Sequence, residues 1–273
     1  MNYTVIGGRG FIGSKIVELL EKQKETVWVP ERDDPELFTK ELGTVIYCAG
    51  HGNCDKGYLK VLEANTILLS RILDGGTFEK LVYISSTRVY MGQNSSSESD
   101  DLIALTQDSR RLFNLTKLVA EEILLKSEKD IAIVRPSNVY GLALNSPLFL
   151  ASIVRNAINN GVVDMYVSPE YSKDYVSVDD VATLTIKISK DQNVSGQIFN
   201  VAAGKNVSAK QIAQILQSKT QCKVCWHANS QDEMFPITNI AKIKEKFNYK
   251  PSSVLDDLVD LINNYQHALT SND

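Results

Sequence analysis

The sequence predicts a doubly wound α/β fold, a parallel sheet covered on both faces by helices, with a smaller lobe attached. Two observations carry this. Short runs rich in Val, Ile and Tyr alternate with stretches whose apolar residues recur every three or four positions, the pattern of strands joined by crossover helices. Gly7, Gly10 and Gly13 stand between the first such run and the first helical stretch. At 273 residues the chain is long enough for one large domain of this kind with a second lobe grown onto it.

In order, the strands read as YTVIG (3–7), TVWVP (26–30), TVIYCA (44–49), KLVYISS (80–86), IAIVRP (131–136) and QIFNVA (197–202). Between them SKIVELLEKQ, LEANTILLSRIL and LTKLVAEEILLK carry the helical period. Only ERDDPELFTKELG, residues 31–43, separates the second strand from the third, which leaves room for one short helix and no strand. The sheet edge beyond the second strand is therefore expected to be trimmed. The serine-rich QNSSSESDD at 93–101 follows a strand end, where such folds place active-site loops, and is expected to be a mobile loop over the site.

The net charge is −4 and the lysines and arginines are scattered, so the chain offers no basic footprint for nucleic acid or an anionic membrane. No apolar run approaches the roughly 20 residues that span a bilayer. MNYTVIGG leads directly into a strand without a signal-peptide profile, so a cytoplasmic protein is expected. Cys48, Cys54, Cys222 and Cys225 are too few for a disulfide scaffold. The CxxC of Cys222 and Cys225, with His227 nearby, and the HxxC of His51 and Cys54 have the donor types of a zinc site. QCKVCWH nonetheless reads as a short strand, so the cysteines are taken as small buried hydrophobes and no metal is expected.

GGRGFIG, residues 7–13, follows a strand and opens a helix. Its glycines permit a tight turn, close approach of backbone N–H groups to a pyrophosphate and close strand–helix packing, and the helix N terminus favours the anion. A dinucleotide is the expected ligand. At the end of the second strand Glu31 suits the ribose hydroxyls of NAD, whereas Arg32 suits the 2′-phosphate of NADP, with Arg9 a second guanidinium in reach. Two arginines against one glutamate favour NADP(H) over NAD(H). LVYISSTRVY ends its strand on Ser85, Ser86 and Thr87, hydroxyls suited either to a substrate oxygen or to the loop's own backbone. In RRLFNLTKLVAEE, Lys117 follows Phe113 by four residues on one helix face. A tyrosine four residues before a lysine is a proton-transfer device, but phenylalanine neither donates nor accepts a proton.

Together these segments resemble the extended short-chain dehydrogenase/reductase superfamily, the NAD(P)-dependent nucleotide-sugar epimerases, dehydratases and 4-ketoreductases, along nearly the whole chain. GGRGFIG looks like its glycine loop, ISSTRVY like its serine motif and FNLTKLVAEE like its YxxxK helix, with Phe113 in the tyrosine's place. RPSNVYG (135–141) looks like the strand-end motif beside nicotinamide and substrate, and KDYVSVDDVA (173–182), GQIFNVAAGKNVS (196–208) and KIKEKFNYKP (242–251) like later signatures.

The resemblance implies a Rossmann fold trimmed at its third strand, with residues 1–141 and 173–202 binding NADP and residues 142–172 and 203–273 forming a substrate lobe. It implies cofactor contacts from Gly7, Arg9, Gly10, Phe11, Ile12, Gly13, Arg32, Ala49, Asn65, Lys117 and Pro136. Substrate contacts would come from Ser86, Thr87, Asn138 and Lys173, and the catalytic positions would be Ser86, Thr87, Lys117 and Phe113, the last as the place of a missing acid. A trimmed adenine side implies a cofactor that exchanges with solvent. That fits a reductase consuming NADPH on a nucleotide-linked 4-keto(-6-deoxy) sugar in sugar-nucleotide biosynthesis. An NAD-using epimerase and a non-catalytic NADP-binding protein with a degenerate site are the alternatives. Residues within 87–101, 142–172 and 225–240 are expected to line the sugar pocket. Family members pair through helices corresponding to 57–74 and 109–127, so a homodimer is expected, with Leu59, Leu62, Leu69, Leu118 and Leu125 on apolar faces that equally suit packing onto the sheet.

Overall fold

The computed structural model describes residues 1–227 and 233–270. In chain order the elements are β1 (Asn2–Ile6), α1 (Phe11–Lys22), β2 (Thr26–Trp28), β3 (Thr44–Tyr47) and α2 (Tyr58–Leu62). Helix α2 continues through a π-helical turn (Glu63–Ile67) into α3 (Leu68–Gly75), followed by β4 (Lys80–Ile84), α4 (Arg111–Lys126), β5 (Ile131–Pro136) and β6 (Asn138–Tyr140). Then come α5 (Phe149–Asn160), β7 (Val162–Met165), β8 (Ser172–Ser177), α6 (Val178–Lys190), β9 (Gln197–Val201) and β10 (Asn206–Ser208). The chain closes with α7 (Ala209–Thr220), β11 (Lys223–Trp226), α8 (Ala241–Phe247) and α9 (Val254–Thr270).

All six strands read from the sequence join one parallel sheet in the order β2-β1-β3-β4-β5-β9. The order reverses at β1, with β2 on one side and β3 on the other, and a crevice opens at the carboxyl ends there. The sheet ends at β2, because residues 31–43 hold only a 3-10 turn (Pro35–Phe38) capped by the Asp34 carboxylate. Strands β3, β4 and β5 are buried at every position, as a sheet covered on both faces requires. Alternate residues face opposite layers: Val45, Tyr47 and Tyr83 meet Leu69, Ile72 and Leu124 of α3 and α4. On the other face Val5 and Ile46 meet Ile16 and Leu20 of α1 with Ile186 of α6.

The second lobe has its own core, in which Val154 of α5, Leu216 of α7 and Leu258 of α9 pack together. Its strands form a β10-β8-β6 sheet and a parallel β7–β11 pair. β8 thus sits in this lobe's sheet, while α6 returns beneath the first sheet, and Ile240, Ile243 and Tyr249 pack there with Phe199 of β9. Within 225–240, residues 228–232 lie outside the described residues, as do 271–273 of the C-terminal segment. Among the described residues no helix is long and apolar enough to cross a membrane.

The structure corrects one expectation. The serine-rich segment 93–101 is not a free loop but is tied to the body of the molecule. Ser96 is buried, donates to the Ile237 carbonyl at 2.8 Å and accepts the Asn239 N–H at 2.9 Å. Glu98 accepts the Asn200 N–H at 2.9 Å, and Asn200 Nδ2 donates to the Ser96 carbonyl at 2.7 Å. Single hydrogen bonds to distant backbone leave no periodic trace in a sequence. Of the leucines that suit either a dimer face or packing onto the sheet, Leu69 is buried in the interior.

Candidate active site

The first part of the site is the crevice at β1 and β3, a cleft of about 460 Å³ lined by Gly7, Arg9, Gly10, Arg32, Ala49 and Gly50, among others. Gly7 has φ +80°, and a Cβ there would lie 2.6 Å from the Ala49 nitrogen. A Cβ on Gly13 would lie 2.3 Å from the Gly7 carbonyl oxygen, so only glycine lets the turn pass over the start of α1. No side chain caps α1, and its N-cap residue Gly10 lines the cleft. This cradle fits a dinucleotide pyrophosphate. Arg9 Nη2 pairs with Glu31 Oε1 at 2.8 Å, both exposed, while Arg32 makes no ion pair among the described residues.

The cleft leads to α4. Lys117 is buried and donates from Nζ to the Ile84 carbonyl at 2.9 Å, and a Cβ on Gly50 would lie 3.6 Å from Nζ. Burial pushes its pKa down from 10.5 to about 8, against the opposing pull of Glu121. Asn65, in the π-helical turn, is fully buried, accepts the His51 N–H at 3.1 Å and donates to Thr116 at 3.0 Å. It fixes the loop after β3 against α4. Ser86 caps the short 3-10 turn Thr87–Tyr90, its hydroxyl accepting the Arg88 N–H at 3.1 Å. Phe113 faces the same side of α4 as Lys117, with its ring centroid 5.9 Å from Nζ.

A second cavity of about 250 Å³ lies between the lobes, lined among others by Phe11, Arg110, Asn138, Tyr140 and Lys173. Thus Phe11 starts α1 at the cradle but sends its ring to this cavity, against Gly141. Asn138 Nδ2 donates to the Asp174 carbonyl at 2.8 Å, and Pro136 ends β5 opposite Val201. Ile12 packs in the core beneath the cradle, so only its backbone is available there. Lys173 pairs with Glu233 at 3.0 Å, and Glu233 also takes the Tyr171 hydroxyl at 3.1 Å and the Arg88 guanidinium at 2.6 Å. Burial works against the Glu233 charge, but Arg88 and Lys173 outweigh it and hold its pKa down to about 2.

Residues 3–202 match the NAD dependent epimerase/dehydratase family. The chain belongs to this family. Among its relatives are a UDP-glucose 4-epimerase of Mycoplasma genitalium, 22% identical over 93% of each chain, and a GDP-6-deoxy-D-talose 4-dehydrogenase of Aggregatibacter actinomycetemcomitans, 24% identical over 86% of this chain and 84% of the relative. The structure of MoeE5 in complex with UDP-glucuronic acid and NAD superposes with a TM-score of 0.86, covering 98% of this chain and 100% of that one, at 17% identity. That likeness establishes the family fold.

The structure adds Arg88, Asp108, Arg110 and Glu233 to the candidate residues read from the sequence. Asp108 joins the turn after Ser86 to the start of α4, accepting Arg88 Nη2 at 2.7 Å, the Arg110 N–H at 2.8 Å and Asn114 Nδ2 at 2.8 Å. Helical phase offered a signal for Arg110, three residues before Phe113. Glu233 reaches the site from a stretch without periodicity. The cysteines lie apart: Cys222 and Cys225 beside the β7–β11 pair, Cys54 in the loop after β3. Among the described residues no three His, Cys, Asp or Glu side chains converge as a metal site would require.

Proposed function

We propose that this protein is an NADPH-dependent reductase of a nucleotide-linked 4-keto(-6-deoxy) sugar. The observation that carries the reading is the open far end of the cofactor cleft. Among the described residues no strand lies beyond β2, and Glu31, Arg32 and Asp33 are all exposed there. So open a cleft favours a cofactor that enters and leaves with each turnover, which a reductase requires and an epimerase recycling bound NAD does not. Arg32 is free to meet a 2′-phosphate, and Arg9 is held by the Pro30 carbonyl at 3.3 Å and by an exposed glutamate, a pairing that contributes little.

NADPH, when bound, supplies the hydride. Lys117, beside Gly50, holds the nicotinamide ribose, and the Ser86 hydroxyl donates to the sugar carbonyl oxygen. Asn138 and Lys173 serve the diphosphate from the second cavity. Phe113 stands where relatives carry their acid, so the proton comes from Ser86, Thr87 or a water near Lys117. Lack of a positioned general acid typically costs about 10²–10⁴ in rate, and slow turnover is expected.

The test is to incubate the protein with NADPH and UDP-, dTDP- and GDP-linked 4-keto-6-deoxyhexoses and follow the absorbance of the reduced nicotinamide. Consumption with one of them supports the reading, and consumption with none overturns it. Phe113 favours one competing reading, a non-catalytic NADP-binding protein. Under it NADPH raises the melting temperature and a sugar nucleotide adds nothing. We also assign the exposed apolar faces of α2 and α4 to a homodimer interface.

A further inference from the structure

We propose that Arg110 touches the substrate: its guanidinium donates hydrogen bonds to the reacting sugar oxygen, the contact that Phe113 cannot make. This rests on the reductase reading above.

Arg110 immediately precedes α4, one turn before Phe113, and its guanidinium carbon lies 4.7 Å from the Phe113 ring centroid. A Cβ on Gly52 would lie 3.0 Å from Nη2, in the same loop as Gly50 and His51 of the cofactor cleft. The same side chain lines the second cavity with Asn138 and Lys173. The guanidinium thus lines the second cavity and lies beside the loop whose Gly50 and His51 line the first, which places it toward the junction of the two. A carbonyl reduced by a nicotinamide must sit at that junction, because the two reacting carbons have to meet.

The two carboxylates around it are already engaged. Asp108 spends its oxygens on Arg88, the Arg110 backbone and Asn114, and Glu233 spends its own on Arg88, Tyr171 and Lys173. The Arg110 guanidinium, unlike that of Arg88, has no ion pair among the described residues, and its Nε, like that of Arg88, is enclosed without an acceptor. Burial and the neighbouring Arg88 both push its pKa down. An enclosed donor without a partner is costly in a folded protein, and a ligand oxygen relieves that cost.

The chemistry balances. As the carbonyl carbon gains a C–H bond with two electrons from NADPH, which is oxidised to NADP⁺, the C=O π pair moves onto oxygen. The alkoxide accepts N–H bonds from Arg110 and takes its proton from water through the Ser86 hydroxyl. The guanidinium keeps its own protons and acts by stabilising developing charge.

The experiment reads binding first. The native chain and Arg110→Ala, each saturated with NADP⁺, are titrated calorimetrically with UDP, dTDP and GDP, then with UDP-glucose, dTDP-glucose and GDP-mannose. The expected result is equal affinity of both proteins for the nucleoside diphosphates and about tenfold weaker binding of the preferred sugar nucleotide by the variant, partly restored in Arg110→Lys. Unchanged sugar-nucleotide affinity overturns the assignment of Arg110 alone, as does loss of nucleoside diphosphate affinity, which would place Arg110 at the diphosphate. Absence of sugar-nucleotide binding to the native chain overturns the reductase reading with it. A kinetic cycle on the 4-keto sugar that is consumed gives a second readout. Arg110→Ala is expected to lower kcat about 10²–10³-fold in the native chain and less than tenfold beside Phe113→Tyr, where a phenol takes over the contact. Equal losses in both backgrounds overturn the proposal.

Discussion

Lys117 is a cation with one hydrogen bond, to the Ile84 carbonyl, the face of Tyr83 4.6 Å away, and no carboxylate within ion-pair distance among the described residues. Such a residue is retained against stability. Its folded pKa of about 8 lies below the 10.5 of a free lysine, so between those values the unfolded chain binds more protons than the folded one. Stability therefore rises with pH across that window, and below about 8 the buried charge is a constant penalty. Lys117→Met is expected to raise the melting temperature at pH 7 by several degrees, from about 1–3 kcal/mol, while abolishing turnover; differential scanning calorimetry beside the nicotinamide assay checks both. On the proposed reading kcat should fall as pH rises through about 8, because the ammonium that would hold the nicotinamide ribose loses its charge. Phe113→Tyr should raise kcat by 10²-fold or more at neutral pH, as the ring is already placed and only the phenolic oxygen is missing. Initial rates on the two proteins decide it.

At the scale of elements, α4 is held to the sheet by a buried ion pair. Glu121 takes the Arg135 guanidinium, Nε at 3.0 Å, and also the Ser85 hydroxyl, with both charged side chains almost fully enclosed. Arg135 reaches on to Tyr90, and Tyr90 to Asn200 of β9 at 3.0 Å. This chain ties the helix of Lys117 to the strand end that carries Ser86. Removing one partner strands the other, so Glu121→Leu should cost about 3–5 kcal/mol, whereas Glu121→Leu with Arg135→Leu should cost clearly less. Urea denaturation of the three variants measures the difference. The six strands of the parallel sheet and α1, α3 and α4 were legible because the strands are runs rich in Val, Ile and Tyr and the helices bury a single stripe, and such patterns survive in the letters. β6, β8 and β10 were not, because three to six residues without clear alternation carry no period. The glycine cradle was legible because backbone geometry restricts its residue types, and Lys117 because it follows Phe113 by four residues on one helix face. Arg88, Asp108 and Glu233 were not, because a charge that matters through a partner 20 or 145 positions away looks like any surface charge.

At the scale of the molecule, α4 carries two stripes. Thr116, Lys117, Ala120, Glu121 and Leu124 are buried against the sheet, while Leu115 and Val119, at the i, i+4 spacing, are exposed on the far side. α2 repeats the pattern next to it, with Tyr58 and Leu59 exposed and Val61 buried. An apolar patch shared by two adjacent helices is larger than scattered surface residues explain, and a two-fold pairing of identical patches covers it without leaving a free end. The native chain should therefore sediment as a dimer. Val119→Glu, and Leu59→Glu independently, should shift it toward monomer in sedimentation equilibrium by placing like charges across the two-fold axis. Because both positions point away from Lys117 and the cradle, NADPH affinity should stay within about twofold of native. A native chain that sediments as a monomer at micromolar concentration would remove the interface and leave the patch without a role in assembly.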